Sequence, residues 1–300
     1  MKLFSPGKLL LTSEYVVLDG ALALAVPTKL GQECLFFEQN DQKSLVYWKA
    51  YHEGKIWLEA IIDYKNLSIV ASNLPEPAKF VLKLISKVKE LSETVFAKST
   101  SYTIETYLQF PSNFGLGSSS TLMNNIAEWA GIDSYLLNDE VLGGSGYDIA
   151  VAKYQKPLLF HIENKVRKAD TINFDPTFKE ELIFIHLNQK QDSREGIRLY
   201  RGKTKTQKQI HFFSEITRQV VETQSLEEFS RLMTLHENRL SNLIELPTVK
   251  QKFFADAPVF FKSLGAWGGD FVMSQRFEGY ENYLKNKGFS TFFSYVDLIL

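Results

Sequence analysis

The chain has 300 residues, 44% of them hydrophobic and 23% charged, with a net charge of −1. This is the composition of an ordinary soluble globular protein with enough core material for two domains or one large one. The near-neutral balance gives no electrostatic reason to expect nucleic acid or an anionic membrane surface as partner. The single cysteine, Cys34, excludes an internal disulfide and lies in an apolar run, where it reads as packing. Lys8 and Glu14 interrupt the apolar stretch that a signal peptide would need, and no uncharged run approaches the ~18 residues of a membrane span. A cytoplasmic protein is expected.

In chain order, residues 9–18 and 21–26 are apolar runs joined by Asp19 and Gly20, a hairpin signal. Within the first run Lys8, Ser13 and Glu14 are polar. They read either as edge or snorkelling residues or as buried functional charges, which are rare unless paired. Residues 32–39 and 44–62 read as strands with a turn at 52–55. Residues 77–91 read as a helix, because Phe80, Val81, Leu84, Ile85, Val88 and Leu91 recur at helical spacing.

Residues 102–110 alternate as a strand that Pro111 ends, and residues 122–130 read as a helix stopped by Gly131. Between them lies a loop of Gly115, Leu116, Gly117, Ser118, Ser119, Ser120 and Thr121. Glycines that let a backbone approach a ligand, followed by a helix start with unpartnered N–H groups, suit an anion such as phosphate. An ordinary capped turn is the plainer reading. Neither the Walker phosphate loop nor the dinucleotide glycine fingerprint fits these residues.

Gly143, Gly144 and Gly146 then mark a second glycine cluster ending at Asp148, which reads either as an N-cap or as a functional carboxylate. Gly143 to Tyr147 fails the serine nucleophile elbow. Residues 157–162 and 182–187 are strand-like, and residues 189–205 are very polar. Two amphipathic helices follow, over 210–221 and around Leu226 to Leu243. A third glycine cluster, Gly265, Gly268 and Gly269, leads into a strand at 271–274, and the end alternates helix (281–287) and strand (291–298). His236 and Glu237 do not continue into a zinc-protease motif, since Leu240 stands where the second histidine would be, so His236 reads as a core histidine.

Taken together, Pro6 to Gly20, Pro111 to Ser119 and Lys262 to Asp270 resemble the GHMP kinases, the family of galactokinase, homoserine kinase, mevalonate kinase and phosphomevalonate kinase. The resemblance spans essentially the whole chain. It implies an α+β protein of two domains, with a ribosomal-protein-S5-domain-2-like domain over 1–180 and a ferredoxin-like domain over 181–300. ATP would bind between them, its phosphates on Gly115, Leu116, Gly117, Ser118 and Ser119. Ser118 or Ser119 would help hold Mg²⁺. Asp148 would be the base and Lys8 its electrostatic partner.

The resemblance is nearest the mevalonate and phosphomevalonate branch. Ser13, Glu14 and Tyr15 are similar to the Gly-Glu-Tyr of bacterial phosphomevalonate kinases, and Gly144 to Ala150 to their Gly-Ser-Gly-x-Asp-Val-Ala. A small anionic acceptor is implied, mevalonate or phosphomevalonate, contacted by Glu14, Tyr15, Ser145, Gly146, Gly265 and Gly268. Ser193 and Arg194 are further candidates, Arg194 for its bidentate fork and against the plainer reading of a solvated loop arginine. Asp139 and Glu140 are the acidic candidates for completing the Mg²⁺ site. A kinase of homoserine or a sugar, or a silent nucleotide sensor on the same fold, are the alternatives. The protein is expected to work as a monomer or homodimer.

Overall fold

The computed structural model describes residues 1–188, 193–265 and 267–300, the side chains of 193–195 excepted. Its β-structure comprises a large mixed sheet and a separate four-stranded antiparallel sheet. The chain divides into two compact units, the first made of Met1–Gly7, Leu30–Ser112 and Leu116–Gln155 and the second of Lys8–Lys29, Asn113–Gly115 and Lys156–Leu300. Residue 180 lies inside the second unit.

In the first unit β1 (Lys2–Leu10) pairs with β2 (Ala23–Gln39), and both strands run on into residues of the second. β3 (Leu45–His52), β4 (Lys55–Asp63) and β5 (Ser68–Ser72) form an antiparallel meander. After α1 (Pro75–Leu91), β6 (Ser101–Leu108) inserts between β3 and β2, parallel to β3 and antiparallel to β2. The helix makes this parallel return possible, since parallel neighbours need a long crossover. Alternation along the strands then selects one face: Val46, Trp48 and Ala50 of β3, Leu58, Ala60 and Ile62 of β4, and Ile104 of β6 are buried. Helices cover that face with Val81, Leu84, Ile85 and Val88 of α1, Met123 and Ile126 of α2 (Ser118–Ala130), Leu137 of α3 (Ser134–Val141) and Ile149 of α4 (Tyr147–Tyr154). Each such side chain contributes about 1.5–3 kcal/mol by leaving water.

In the second unit the first residues of β2 pair with β7 (Leu158–Glu163), which pairs with β8 (Val166–Thr171). β9 (Leu182–His186) is buried along its whole length. There follow α5 (Ser193–Arg201), α6 (Gln207–Glu222), α7 (Leu226–Ile244) and α8 (Val249–Phe253). Then come β10 (Phe261–Leu264), β11 (Phe271–Gln275), α9 (Tyr280–Asn286), β12 (Phe292–Ser294) and α10 (Tyr295–Leu298). The antiparallel order is β10-β11-β9-β12. Thr206 and Thr248 open α6 and α8 with capping boxes closed by Gln209 and Gln251.

Several local expectations are corrected. Residues 11–22 do not form two strands around an Asp-Gly turn. Ser13 and Tyr15 take positive φ, a 3₁₀ turn occupies Val16–Asp19, and Gly20 closes it in the left-handed conformation. The polar stretch after β9 carries α5, whose helical face packs Ile197 and Tyr200. Asp148 is not an N-cap; Gly146 caps α4 and Asp148 sits in its first turn. The expected last strand yields after three residues to α10, which Ser294 caps through Asp297 N–H. Among the described residues no helix is long and apolar enough to cross a membrane.

Candidate active site

In the first unit two helix starts come together. Gly117 is the N-cap of α2, with φ of 87°, and among the described residues no side chain caps the helix there. The N–H groups of the first turn and the positive end of the dipole are therefore offered to an external anion. Ser118 and Ser119 stand on this turn with their hydroxyls outside the core, whereas the Leu116 side chain is fully buried and can give a ligand only its backbone. Ser120, one residue further, donates its hydroxyl to Asp148 Oδ2 at 2.6 Å. Gly146, at φ 89°, starts α4 so that Asp148 falls in its first turn, where Oδ1 also accepts the Ile149 N–H at 3.2 Å. Ser145 is buried beside them. The Asp148 carboxylate is thus half-exposed and fixed by a hydroxyl on one oxygen.

The residues just before the loop's turn belong to the second unit. Phe114 is buried there, its ring 4.5 Å from the His186 ring and 5.4 Å from that of Phe271. His186 Nε2 lies 3.2 Å from the Asn113 carbonyl. Lys8 donates from Nζ to the Gly115 carbonyl at 2.9 Å. A side chain at Gly115 is excluded, because its Cβ would occupy the space of the Asp270 carboxylate.

Glu14 and Tyr15 follow on the connection from β1 to β2. Glu14 is 1% exposed and pairs through Oε1 with Lys262 Nζ at 2.5 Å, and Lys262 itself is fully buried on β10. Burial pushes the Glu14 carboxyl up, and the Lys262 ammonium opposes that shift. His236 is held neutral, its pKa driven well below 6.5 by burial and then by Lys262. Its Nε2 accepts the Ser13 N–H at 2.7 Å, so the proton is on Nδ1. The 3.7 Å approach of Nε2 to Glu14 Oε2 is therefore not an ion pair, although it falls within ion-pair distance. Glu237, next along α7, is pushed up to about 7 by burial, while the Val249 N–H, Ser263 N–H and Ser263 hydroxyl donate to it. The Tyr15 hydroxyl accepts the Trp267 N–H at 2.7 Å, which joins it to the third glycine segment, where Gly265 and Gly268 have φ of 70° and 74°.

The structure therefore brings Lys8 to Gly115, Asp148 to the start of α2, and Tyr15 to Trp267. Ser193 and Arg194 are the first two residues of α5, with side chains outside the described residues. Glu140 is exposed on α3 and pairs with Lys87 at 3.1 Å, and Asp139 is exposed beside it. Among the described residues no three His, Cys, Asp or Glu side chains cluster as a metal site. Sequence reasoning named Ser120, Lys262 and Glu237 without assigning them a role or a partner. Lys262 had a signal, since it is a lysine within an apolar strand, as Lys8 is.

No protein-family model and no curated protein sequence matches the chain. Solved structures match it in fold. The mevalonate kinase of Methanococcus jannaschii superposes with a TM-score of 0.70 at 17% identity, covering 98% of this chain and 96% of that one. The Streptococcus pneumoniae phosphomevalonate kinase, solved with phosphomevalonate and AMPPNP, gives 0.66 at 16% over 96% and 95%. Lactococcus lactis galactokinase, solved with galactose, gives 0.68 at 12% over 98% and 92%. These are GHMP kinases, and the chain has the GHMP-kinase fold.

The buried pair yields a test. Lys262→Met removes the counter-charge and leaves Glu14 sealed from water. A carboxyl whose folded pKa lies above its unfolded value contributes stability that is present below about 4.5 and lost as pH rises. Thermal or urea unfolding should therefore show a deficit against wild type of about 3–5 kcal/mol at pH 8, shrinking at pH 5. Equal deficits at both pH values would mean that Glu14 is not the charge left behind.

Proposed function

We propose that the chain is a divergent GHMP-type kinase that transfers the γ-phosphoryl group of ATP to a small anionic metabolite, with mevalonate or phosphomevalonate as the favoured acceptor. The observation that carries this reading is the 2.6 Å hydrogen bond from Ser120 to Asp148. It ties a half-exposed carboxylate to the first turn of a helix whose glycine-capped N-terminus is suited to phosphate. The residues fit a nucleotide: first-turn N–H groups without a capping side chain, and two hydroxyls, Ser118 and Ser119, for a hydrated Mg²⁺. When bound, ATP supplies the phosphoryl group and Mg²⁺ neutralises phosphate charge.

In this reading the amides of Ser118 to Ser120 meet the charge on the phosphates, which is where most of the catalytic stabilisation arises in such transfers. Asp148 takes the proton of an acceptor hydroxyl, or of a protonated acceptor phosphate, as that oxygen bonds to the γ-phosphorus and the bond to the β-phosphate oxygen breaks to release ADP, and Ser120 keeps the carboxylate aimed. Lys8 contributes positive charge to the glycine loop, whose Gly115 carbonyl it holds, and Arg194 binds the anionic end of the acceptor. The acceptor contacts proposed for Glu14, Tyr15, Ser145, Gly146, Ser193, Gly265 and Gly268 belong to the same reading. So does the division into an S5-like ATP-binding domain over 1–180 and a ferredoxin-like domain over 181–300. A coupled assay of ADP release with mevalonate, phosphomevalonate, homoserine and galactose tests the whole; absence of turnover with all four would overturn it.

Three substitutions separate its parts. Asp148→Asn should leave the fold and ATP affinity intact and lower kcat by about 10²–10⁴. A near-normal kcat would remove Asp148 from proton transfer. Gly117→Val puts a β-branched residue at φ 87°. It should abolish ATP binding in calorimetry while the far-ultraviolet circular dichroism stays unchanged, and unchanged ATP affinity would move the nucleotide elsewhere. Arg194→Ala should raise the acceptor KM with little change in the KM for ATP, whereas equal effects on both would return Arg194 to the surface.

A further inference from the structure

Tyr15 stands in a conformation that bulky residues avoid. Its φ of 62° and ψ of −42°, with the Val16 N–H bonded to the Glu14 carbonyl at 2.7 Å, make it the centre of the rare γ-turn of positive φ. A non-glycine outlier of this kind persists only where its surroundings over-determine it, and such positions concentrate at functional sites. The surroundings are specific. On one side Glu14 is clamped by Lys262, and Ser13 N–H by His236. On the other the Tyr15 ring, 7% exposed, reaches two further segments of the same unit. Its hydroxyl accepts the Trp267 N–H, and it lies against Gly196 in the first half of α5.

Gly196 itself calls for a reason, because glycine inside a helix is less stable than alanine. The reason is contact. A Cβ at Gly196 would run into the Tyr15 hydroxyl and come within 2.7 Å of Cζ and 2.9 Å of Cε1. α5 is also tied down further along. Tyr200 packs on Tyr15 with ring centroids 6.0 Å apart and donates to Asp19 Oδ2 at 2.5 Å. The γ-turn thus aims one phenol at the junction of α5 and the third glycine segment.

We propose that Tyr15 is a positioning residue that sets the spacing between the start of α5, at Gly196, and the third glycine segment, at the Trp267 N–H, and thereby shapes the acceptor pocket beyond any contact it makes itself. The consequence for the acceptor rests on the kinase reading, through Arg194 two residues before Gly196. The clamp itself does not.

The test uses the full chain with Tyr15→Phe, Gly196→Ala and the double variant. Tyr15→Phe removes the acceptor of the Trp267 N–H and should speed exchange of that amide about tenfold. Gly196→Ala should lower the melting temperature, against the usual preference of helices for alanine, and by less in the Tyr15→Phe background, where the nearest of the three obstructing atoms is gone while Cζ and Cε1 remain. Additive shifts in melting temperature with an unchanged Trp267 exchange rate would overturn the clamp. With phosphomevalonate or mevalonate as acceptor, Tyr15→Phe should raise the acceptor KM about fivefold or more and leave the KM for ATP unchanged. A parallel rise in both KM values would overturn its role toward the acceptor. Should wild type turn over neither acceptor, the kinase reading falls, and the exchange and melting measurements still decide the clamp.

Discussion

A charge pair sealed from water anchors the connection between β1 and β2 in the second unit. Glu14 and Lys262 are almost completely buried, and neither can be left alone in the interior without a penalty of several kcal/mol. Once they are paired, the connection from β1 to β2 is fixed against β10. The rest of the local chemistry follows from the same desolvation. His236 stays neutral and becomes an acceptor for Ser13 N–H, and Glu237 draws three donors from Val249 and Ser263. An unusual backbone at Ser13 and Tyr15 is held in place by these bonds. Such a network favours one arrangement of the loop, because separating Glu14 from Lys262 would leave a buried charge unpaired.

The first unit uses a different device. Its candidate chemistry is carried by helix starts, each opened by a glycine in the left-handed conformation, Gly117 for α2 and Gly146 for α4. A glycine cap supplies the turn without a side-chain acceptor, and so leaves the first-turn N–H groups for a ligand. Rigidity comes from below, where α2 and α4 bury Met123, Ile126 and Ile149 in one core with α1 and the sheet. Ser120 and Asp148 can therefore be held at hydrogen-bond distance by packing that takes no part in the chemistry.

Much of the fold was readable from the chain. The helical spacing of Phe80 to Leu91 and the alternation of residues 102–110 both appear as elements, α1 and β6, within two residues of their expected bounds. Local signals failed where tertiary contacts prevailed. The Asp19-Gly20 pair reads as a hairpin, yet the buried Glu14 and His236 hold the segment in turns. β5, β8 and β10 were missed; the first two are largely exposed strands without an apolar pattern, and the third is four residues long. α5 was hidden by polarity, since only a narrow face with Ile197 and Tyr200 is packed.

The sequence by itself determined the three glycine segments, their order and the residue types beside them. Glycine spacing and helix-start hydroxyls are local properties, written in a dozen consecutive residues. It also marked Lys8, Glu14 and Asp148 as charges in unusual company, without assigning their partners. Only the tertiary structure decided those partners, because they lie far away in the chain: Lys8 with the Gly115 carbonyl, Glu14 with Lys262, and Asp148 with Ser120. A buried charge needs a partner wherever the fold can supply one, and sequence distance plays no part in that electrostatic requirement.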